Sequence, residues 1–322
     1  MIGERSPPGR NAVQNFAIVG VAGYVAPRHL KAIKETGNRL VAATDPHDAV
    51  GILDGYALDA RYFPEIERFD RHLDKLRRGA PENRVHYVSI CSPNYLHDAH
   101  CRLALRDGAD AICEKPLVIN PWNLDPLRAL EAETGRRIYT VLQLRAHPRL
   151  IALRDELAQQ GAGQHDVCLS YVTARGKWYQ ASWKGATEKS GGVAVNIGIH
   201  FFDLLAWLFG APVACRVHLV EPQRMAGWIE FQRARVRWFL STRPDDLPPA
   251  AAERRTFRSL TVDGREIEFS EGFTDLHTRV YADILAGRGL GIEEARGSIE
   301  LTHQIRNTPA TEGGGDRHPY LT

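Results

Sequence analysis

With 322 residues, 43% of them hydrophobic and 25% charged, the chain is long enough for about two domains with real cores and has the make-up of an ordinary globular protein. A formal charge of +2 with Lys and Arg spread along the sequence offers no basic face for nucleic acid, and the longest apolar stretch, Phe201 to Cys215, is broken by Asp203 and Pro212 and too short to span a bilayer. Five cysteines, an odd number with no CxxC spacing, predict reduced packing residues in a cytoplasmic protein and no metal site.

Residues 1–14 are polar, carry Pro and Gly and lack an apolar core segment, so they read as a loose extension without a secretory signal. From there to residue 142 short apolar runs alternate with helical patterns. Strands are expected at Phe16–Val21, Leu40–Thr44, Tyr87–Cys91, Ala111–Cys113 and Ile138–Leu142, and helices around Pro27–Thr36, Glu65–Arg78, Leu96–Arg106 and Asn123–Thr134. Continuous apolar strands separated by helices predict a parallel sheet covered on both faces, an α/β Rossmann domain over 1–142.

Beyond Gln143 the rhythm changes. A helical run, Arg149–Gln160, precedes alternating segments at Asp166–Thr173, Cys215–Val220, Trp228–Phe231, Arg235–Ser241, Phe257–Val262 and Arg265–Phe269, the last after the hairpin dipeptide Asp263-Gly264. Residues 143–322 therefore read as an α+β domain with an open, mostly antiparallel sheet. The tail from Asn307 has no periodicity and is expected to lie irregularly on the surface.

Chemistry enters at the first strand. Gly20, Gly23, Tyr24 and Val25 form a strand–turn–helix junction of GxxGxxA spacing, where glycines admit a tight turn and bring backbone N–H groups to a pyrophosphate at a helix N-terminus. Asp45 closes the second strand 25 residues after Gly20, placed to accept hydrogen bonds from an adenosine ribose and to repel a 2′-phosphate. That favours NAD over NADP; the competing reading is that Asp45-Pro46 caps the next helix. At the end of the fifth strand, Glu114-Lys115-Pro116 puts a lysine where it could stabilise alkoxide charge. Further on, Asn196, His200 and Asp203 follow a Gly pair and, on one continuous helix, fall within an arc of about 60°. Polar groups stacked along an otherwise apolar helix need partners or a cavity.

These segments together resemble the Gfo/Idh/MocA oxidoreductase family: the Gly turn, Ser92-Pro93-Asn94-Tyr95-Leu96-His97, Glu114-Lys115-Pro116, and the glycine-rich approach to His200. The resemblance implies a Rossmann domain joined to a substrate-binding and oligomerisation domain, with Lys115 and His200 as catalytic pair. Ser92, Asn94, His97, Glu114 and Lys115 then lie on the cofactor side, with Gly20, Gly23, Tyr24, Val25 and Asp45. Many members carry Asp four residues before the histidine, where this chain has Asn196, which makes His200 rather than an acid–lysine relay the proton acceptor.

Within that family, the stretches VAGYVAPRHLKAI, YVSICSPNYLH, ICEKPL, RGKWYQASWKG, ARVRWFLS and EGFTDLHT look like the WlbA/WbpB-type enzymes. Those oxidise C3 of UDP-N-acetyl-2-amino-2-deoxyglucuronate with NAD, on the way to diacetamido-uronic acids of bacterial surface polysaccharide such as O-antigen. The resemblance implies a UDP-sugar substrate, the family's habit of homotetramers and no nucleic-acid or membrane partner; it leaves open whether NADH departs or is recycled by 2-oxoglutarate. Arg175, Trp178, Tyr179 and Lys184, with Asn196 and Asp203, are the candidate substrate contacts, since cations match pyrophosphate and carboxylate and aromatic faces pack on sugar or uracil. Arg145 and Lys177 are further candidate cations. Two other functions stay open: another sugar oxidoreductase or NAD-dependent glycoside-cleaving enzyme of the same fold, and an NAD-sensing regulator without turnover.

Overall fold

The computed structural model describes residues 13–161, 163–251, 253–269, 272–312 and 316–321. The expected loose extension therefore lies, up to residue 12, outside the described residues. Two compact units emerge, one of Met1–Leu117, Trp122–Val141 and Asp275–Glu294, the other of Val118–Pro121, Leu142–Thr274 and Ala295–Thr322.

In the first unit the chain runs β1 (Asn15–Val19), α1 (Ala26–Glu35), β2 (Arg39–Thr44), β3 (Arg61–Phe63), α2 (Ile66–Arg78), β4 (Tyr87–Ile90), α3 (His97–Arg106), β5 (Asp110–Cys113), α4 (Leu124–Thr134) and β6 (Ile138–Thr140). All neighbouring strands are parallel, in the order β3-β2-β1-β4-β5-β6. Every residue of β1 is buried, as a strand covered on both faces requires. The order reverses between β1 and β4, which makes their carboxyl ends the crevice of the sheet. Only β3 escapes the sequence pattern, because three residues, two of them partly open to solvent, are too few to set a period.

In the second unit come α5 (Pro148–Gln159), β7 (His165–Thr173), α6 (Lys177–Ala181), α7 (Thr187–Ser190), α8 (Gly192–Asn196), α9 (Ile199–Phe209), β8 (Pro212–Val220), β9 (Arg224–Phe231), β10 (Ala234–Ser241), β11 (Thr256–Val262) and β12 (Arg265–Glu268). Their sheet runs β12-β11-β7-β10-β9-β8 and is antiparallel except for the β7–β10 pair. Asp263 and Gly264 both have positive φ, 50° and 79°, the turn their dipeptide predicted. One face packs on α5 and α9 around Trp238, Phe202 and Phe209.

Three expectations change. The chain does not stay in the second unit after residue 142: α10 (Leu276–Leu285) belongs to the first, where Tyr281 and Ile284 join its core. The last helix, α11 (Ile292–Asn307), follows. The tail beyond it is irregular but not merely superficial. Thr311 N–H donates to the Val217 carbonyl at 2.9 Å, and His318, 1% exposed, stacks on Phe239 of β10. Finally, the helix expected to align Asn196, His200 and Asp203 is two helices bent by 42°. Gly198 sits in the break, where a Cβ would lie 2.4 Å from the Ala194 carbonyl oxygen and 2.7 Å from Leu240. Among the described residues no single helix is long and apolar enough to cross a membrane; this bent pair passes on length and composition alone, and most of α9 is buried in the core.

Candidate active site

At the carboxyl end of β1, Gly20 has φ +84°, and a Cβ there would stand 2.7 Å from both the Cys91 carbonyl carbon and the Ser92 nitrogen. Only glycine lets the turn after β1 cross the end of β4 this closely. Gly23 is equally confined, 2.9 Å from the Gly20 carbonyl oxygen on the same test. The turn leads into α1, whose first positions offer no open donor: Ala26 N–H donates to the Gly23 carbonyl at 3.1 Å, Pro27 has none and Arg28 N–H donates to the Val25 carbonyl at 3.0 Å. The candidate cradle for a dinucleotide pyrophosphate is therefore the glycine turn itself, where backbone can approach a phosphate closely. Tyr24 stands 71% exposed at its rim, and Val25 is half-buried beside it.

Asp45 does not cap the next helical turn, Gly51–Gly55, which begins after Val50; its carboxylate holds the glycine turn instead. One carboxylate oxygen accepts from Ala22 N–H at 3.0 Å and the other from His47 N–H at 2.9 Å. It thus ties the glycine turn to the end of β2, and an ionised carboxylate retains lone pairs for a ribose.

The turns after β4 and β5 are clamped to each other. His97, 1% exposed, has Nδ1 2.7 Å from the Pro116 carbonyl and Nε2 2.8 Å from the Ser92 carbonyl. Both ring nitrogens face backbone carbonyls, which corrects its assignment as a cofactor contact; burial lowers its pKa, and the neutral ring donates to one of the two carbonyls between the turns. Ser92 Oγ is 2.8 Å from His100 Nδ1, whose pKa burial pulls down to about 4. Asn94 is buried and Lys115 half-buried. Glu114 likewise faces inward, with His29 and His277 on one carboxylate oxygen. Sequence spacing offers no hint of this trio, whose members are 85 and 163 residues apart.

In the second unit the structure gathers Asn196, Tyr179 and Arg175. The Asn196 amide donates to the Tyr179 hydroxyl, and the Arg175 guanidinium lies 5.8 Å from the Tyr179 ring centre. Lys184 sits over Trp183 and Trp178, at 4.2 and 5.6 Å, and Trp178 is half exposed. Arg and Lys heads over aromatic faces are held without losing their donors. Lys177 is exposed at the start of α6. His200, half-buried, opens the first turn of α9.

Asp203 does not fit a substrate contact. Its carboxylate, 2% exposed, takes a bidentate pair from Arg145 at 2.9 and 2.6 Å. Burial raises its pKa against the opposing pull of Arg145. The same pair draws Arg145 away from the candidate phosphate ligands; from sequence, neither could be matched to the other across 58 residues.

All five cysteines are free, Cys91, Cys101 and Cys113 buried and the other two partly so. Burial raises the Cys91 and Cys113 thiols well above the ordinary range, in keeping with packing rather than nucleophilic roles.

Residues 14–142 match the model of the oxidoreductase family's NAD-binding Rossmann fold, and residues 165–242 that of its C-terminal alpha/beta domain. The chain belongs to the Gfo/Idh/MocA oxidoreductase family. Among solved members, the WlbA (WbpB) dehydrogenase of Thermus thermophilus in complex with NAD and UDP-GlcNAcA is 52% identical. The match covers 96% of this chain and all of that one, with a TM-score of 0.92. A second structure of the Thermus enzyme, in complex with NAD and alpha-ketoglutarate, matches at 53% identity over the same shares, also with a TM-score of 0.92. Among curated members, the D-glucoside 3-dehydrogenase of Escherichia coli is 29% identical over 143 residues, 43% of this chain and 40% of that enzyme. The matched region thus spans less than half of that curated relative's length.

Proposed function

We propose that this chain is an NAD-dependent dehydrogenase that oxidises the C3 hydroxyl of UDP-N-acetyl-2-amino-2-deoxyglucuronate to the 3-keto sugar. The observation that carries this reading is the full-length, 52% identical match to a dehydrogenase crystallised with NAD and UDP-GlcNAcA. The chain's own residues agree with it. The first unit offers the glycine cradle and Asp45 for the dinucleotide, with Ser92 and Asn94 on the nicotinamide side. The second unit supplies Arg175, Lys184 and Trp178 for pyrophosphate, carboxylate and ring faces, and serves as the oligomerisation domain.

NAD supplies the hydride acceptor. His200 takes the proton of the C3 hydroxyl as general base, and the Lys115 ammonium stabilises the developing alkoxide charge. Asn196, fixed by Tyr179, orients the sugar beside His200. Homotetrameric assembly, a cytoplasmic site of action and a place in surface-polysaccharide synthesis belong to the same reading. So does recycling of NADH by a 2-oxo acid, favoured by the Thermus enzyme's complex with alpha-ketoglutarate.

The test is NADH absorbance over a panel of UDP-sugars. UDP-N-acetyl-2-amino-2-deoxyglucuronate should be turned over, and UDP-N-acetylglucosamine, lacking the carboxylate, should not, because cations built to meet a charge are then left unpaired. Added 2-oxoglutarate should suppress NADH accumulation while sugar oxidation continues. Equal turnover of the two sugars, or none of the uronate, overturns the assignment.

A further inference from the structure

Behind Lys115 lies a chain of buried polar groups that the proposed reaction does not use. Ser89 Oγ on β4 is 2.6 Å from the Tyr281 hydroxyl on α10, which is 2.7 Å from His29 Nδ1 on α1. His29 Nε2 is 3.0 Å and His277 Nε2 2.8 Å from the same Glu114 oxygen, while the other accepts from Lys115 N–H at 3.2 Å. Ser89, His29 and Tyr281 are fully buried, His277 is 3% and Glu114 7% exposed.

One assignment of protons satisfies every contact. Ser89 donates to Tyr281, Tyr281 donates to His29 Nδ1, and both histidines donate from Nε2 to an ionised Glu114. Burial keeps His29 neutral; burial alone would raise the Glu114 carboxyl, but the hydrogen bonds from His277 and His29 outweigh it and hold it well below the usual range.

We propose that this chain is a positioning device for Lys115. It locks a buried carboxylate against the Lys115 backbone and joins the lysine's turn to α1, the helix that begins at the glycine cradle, and to α10, the segment that returns late in the sequence. A buried ionic network contributes little stability over an apolar replacement of equal volume. Its five groups instead fix one geometry and one charge beside a functional cation. The inference rests on the reading of Lys115 as a catalytic residue.

The experiment compares His277→Leu with His277→Gln, whose amide nitrogen can reach the place of Nε2, each alone and with Lys115→Met. His277→Leu should lower kcat about 10-fold with KM for the UDP-sugar changed by less than about twofold, and His277→Gln should recover most of the loss. In the Lys115→Met background His277→Leu should remove nothing further, because both act through one group. Equal losses in the Leu and Gln variants that follow only their melting temperatures overturn the proposal, as does a full additional loss in the Lys115→Met background. Near-normal kcat in Lys115→Met alone refutes the reading of Lys115 instead. The ligand atoms of His29, Glu114 and His277 lie within 4.8 Å of one another. A full equivalent of divalent metal on the purified protein, lost in His29→Leu, would also overturn the network, since the ion would take the nitrogens assigned here to Glu114.

Discussion

Replacing Gly20 by Ala tests whether the crossing of the β1 and β4 ends builds the cofactor cradle. A residue with a Cβ at φ +84° carries about 1–2 kcal/mol of left-handed strain. The new methyl would also lie 2.7–2.8 Å from three backbone atoms of Cys91 and Ser92. Neither side can retreat cheaply. Cys91 N–H donates to the Val19 carbonyl at 2.8 Å, and Gly20 N–H donates to the Thr44 carbonyl at 2.8 Å. Relief requires parting β1 from β4, an overpacking cost of about 1–3 kcal/mol more.

The sum, about 2–5 kcal/mol, should lower the melting temperature by several degrees, and the displaced turn should weaken NAD binding by about 100-fold. Gly37→Ala is the control: φ is +75°, yet nothing lies within 4 Å of the added Cβ. It should cost only the strain, about 1 kcal/mol, and leave NAD affinity alone. Calorimetry of melting and of NAD binding on both variants decides the matter. If Gly20→Ala binds NAD like Gly37→Ala, the close approach of the two turns does not form the cofactor site.

Other consequences concern single side chains. Asp107, which caps α3, is pushed up to about 7 by burial and then by Asp70 and Asp74. An acid whose folded pKa exceeds its unfolded value favours the native state when protonated, so its stabilisation is present below about pH 4 and lost as pH rises through 7. Asp107→Asn should therefore melt higher than wild type at pH 8, by about 1 kcal/mol after solvent screening, and equally at pH 4; a pH-independent difference refutes this. Asp45→Ala removes the acceptor for Ala22 N–H as well as the carboxylate proposed to bind the ribose, so NAD should bind about 10-fold more weakly and the preference over NADP narrow. Wild type binding NADP as tightly as NAD would sink the assignment. Lys115→Met and His200→Asn should each lower kcat by about 10²–10⁴-fold, with the double variant little worse than the poorer single. A His200→Asn enzyme with near-normal kcat would mark His200 as a packing residue.

What sequence determines here is whatever depends on local periodicity and on motifs whose spacing is short. Largely buried, mostly apolar strands of four to six residues, the helices between them, the Asp263-Gly264 hairpin and the glycine turn each carry their signal within a window of a few residues. The same holds for Glu114-Lys115-Pro116 and for the approach to His200, which made the family legible before any fold was known. Tertiary structure alone decided which polar side chains are spent on one another. Asp203 looked like a substrate ligand because its face of the helix was readable, but Arg145, 58 residues earlier, closes on it as a bidentate partner. His97 looked like a cofactor contact because it follows Asn94, yet its ring lies enclosed between two backbone carbonyls. At the Gly198 bend a carbonyl and two side chains occupy the space a Cβ would need, a tertiary constraint the helical period cannot express. The return of α10 to the first unit has the same origin: burial of Tyr281 against β4 and α1 favours it, and those contacts, with sequence separations of 192 and 252, leave no trace in a local pattern.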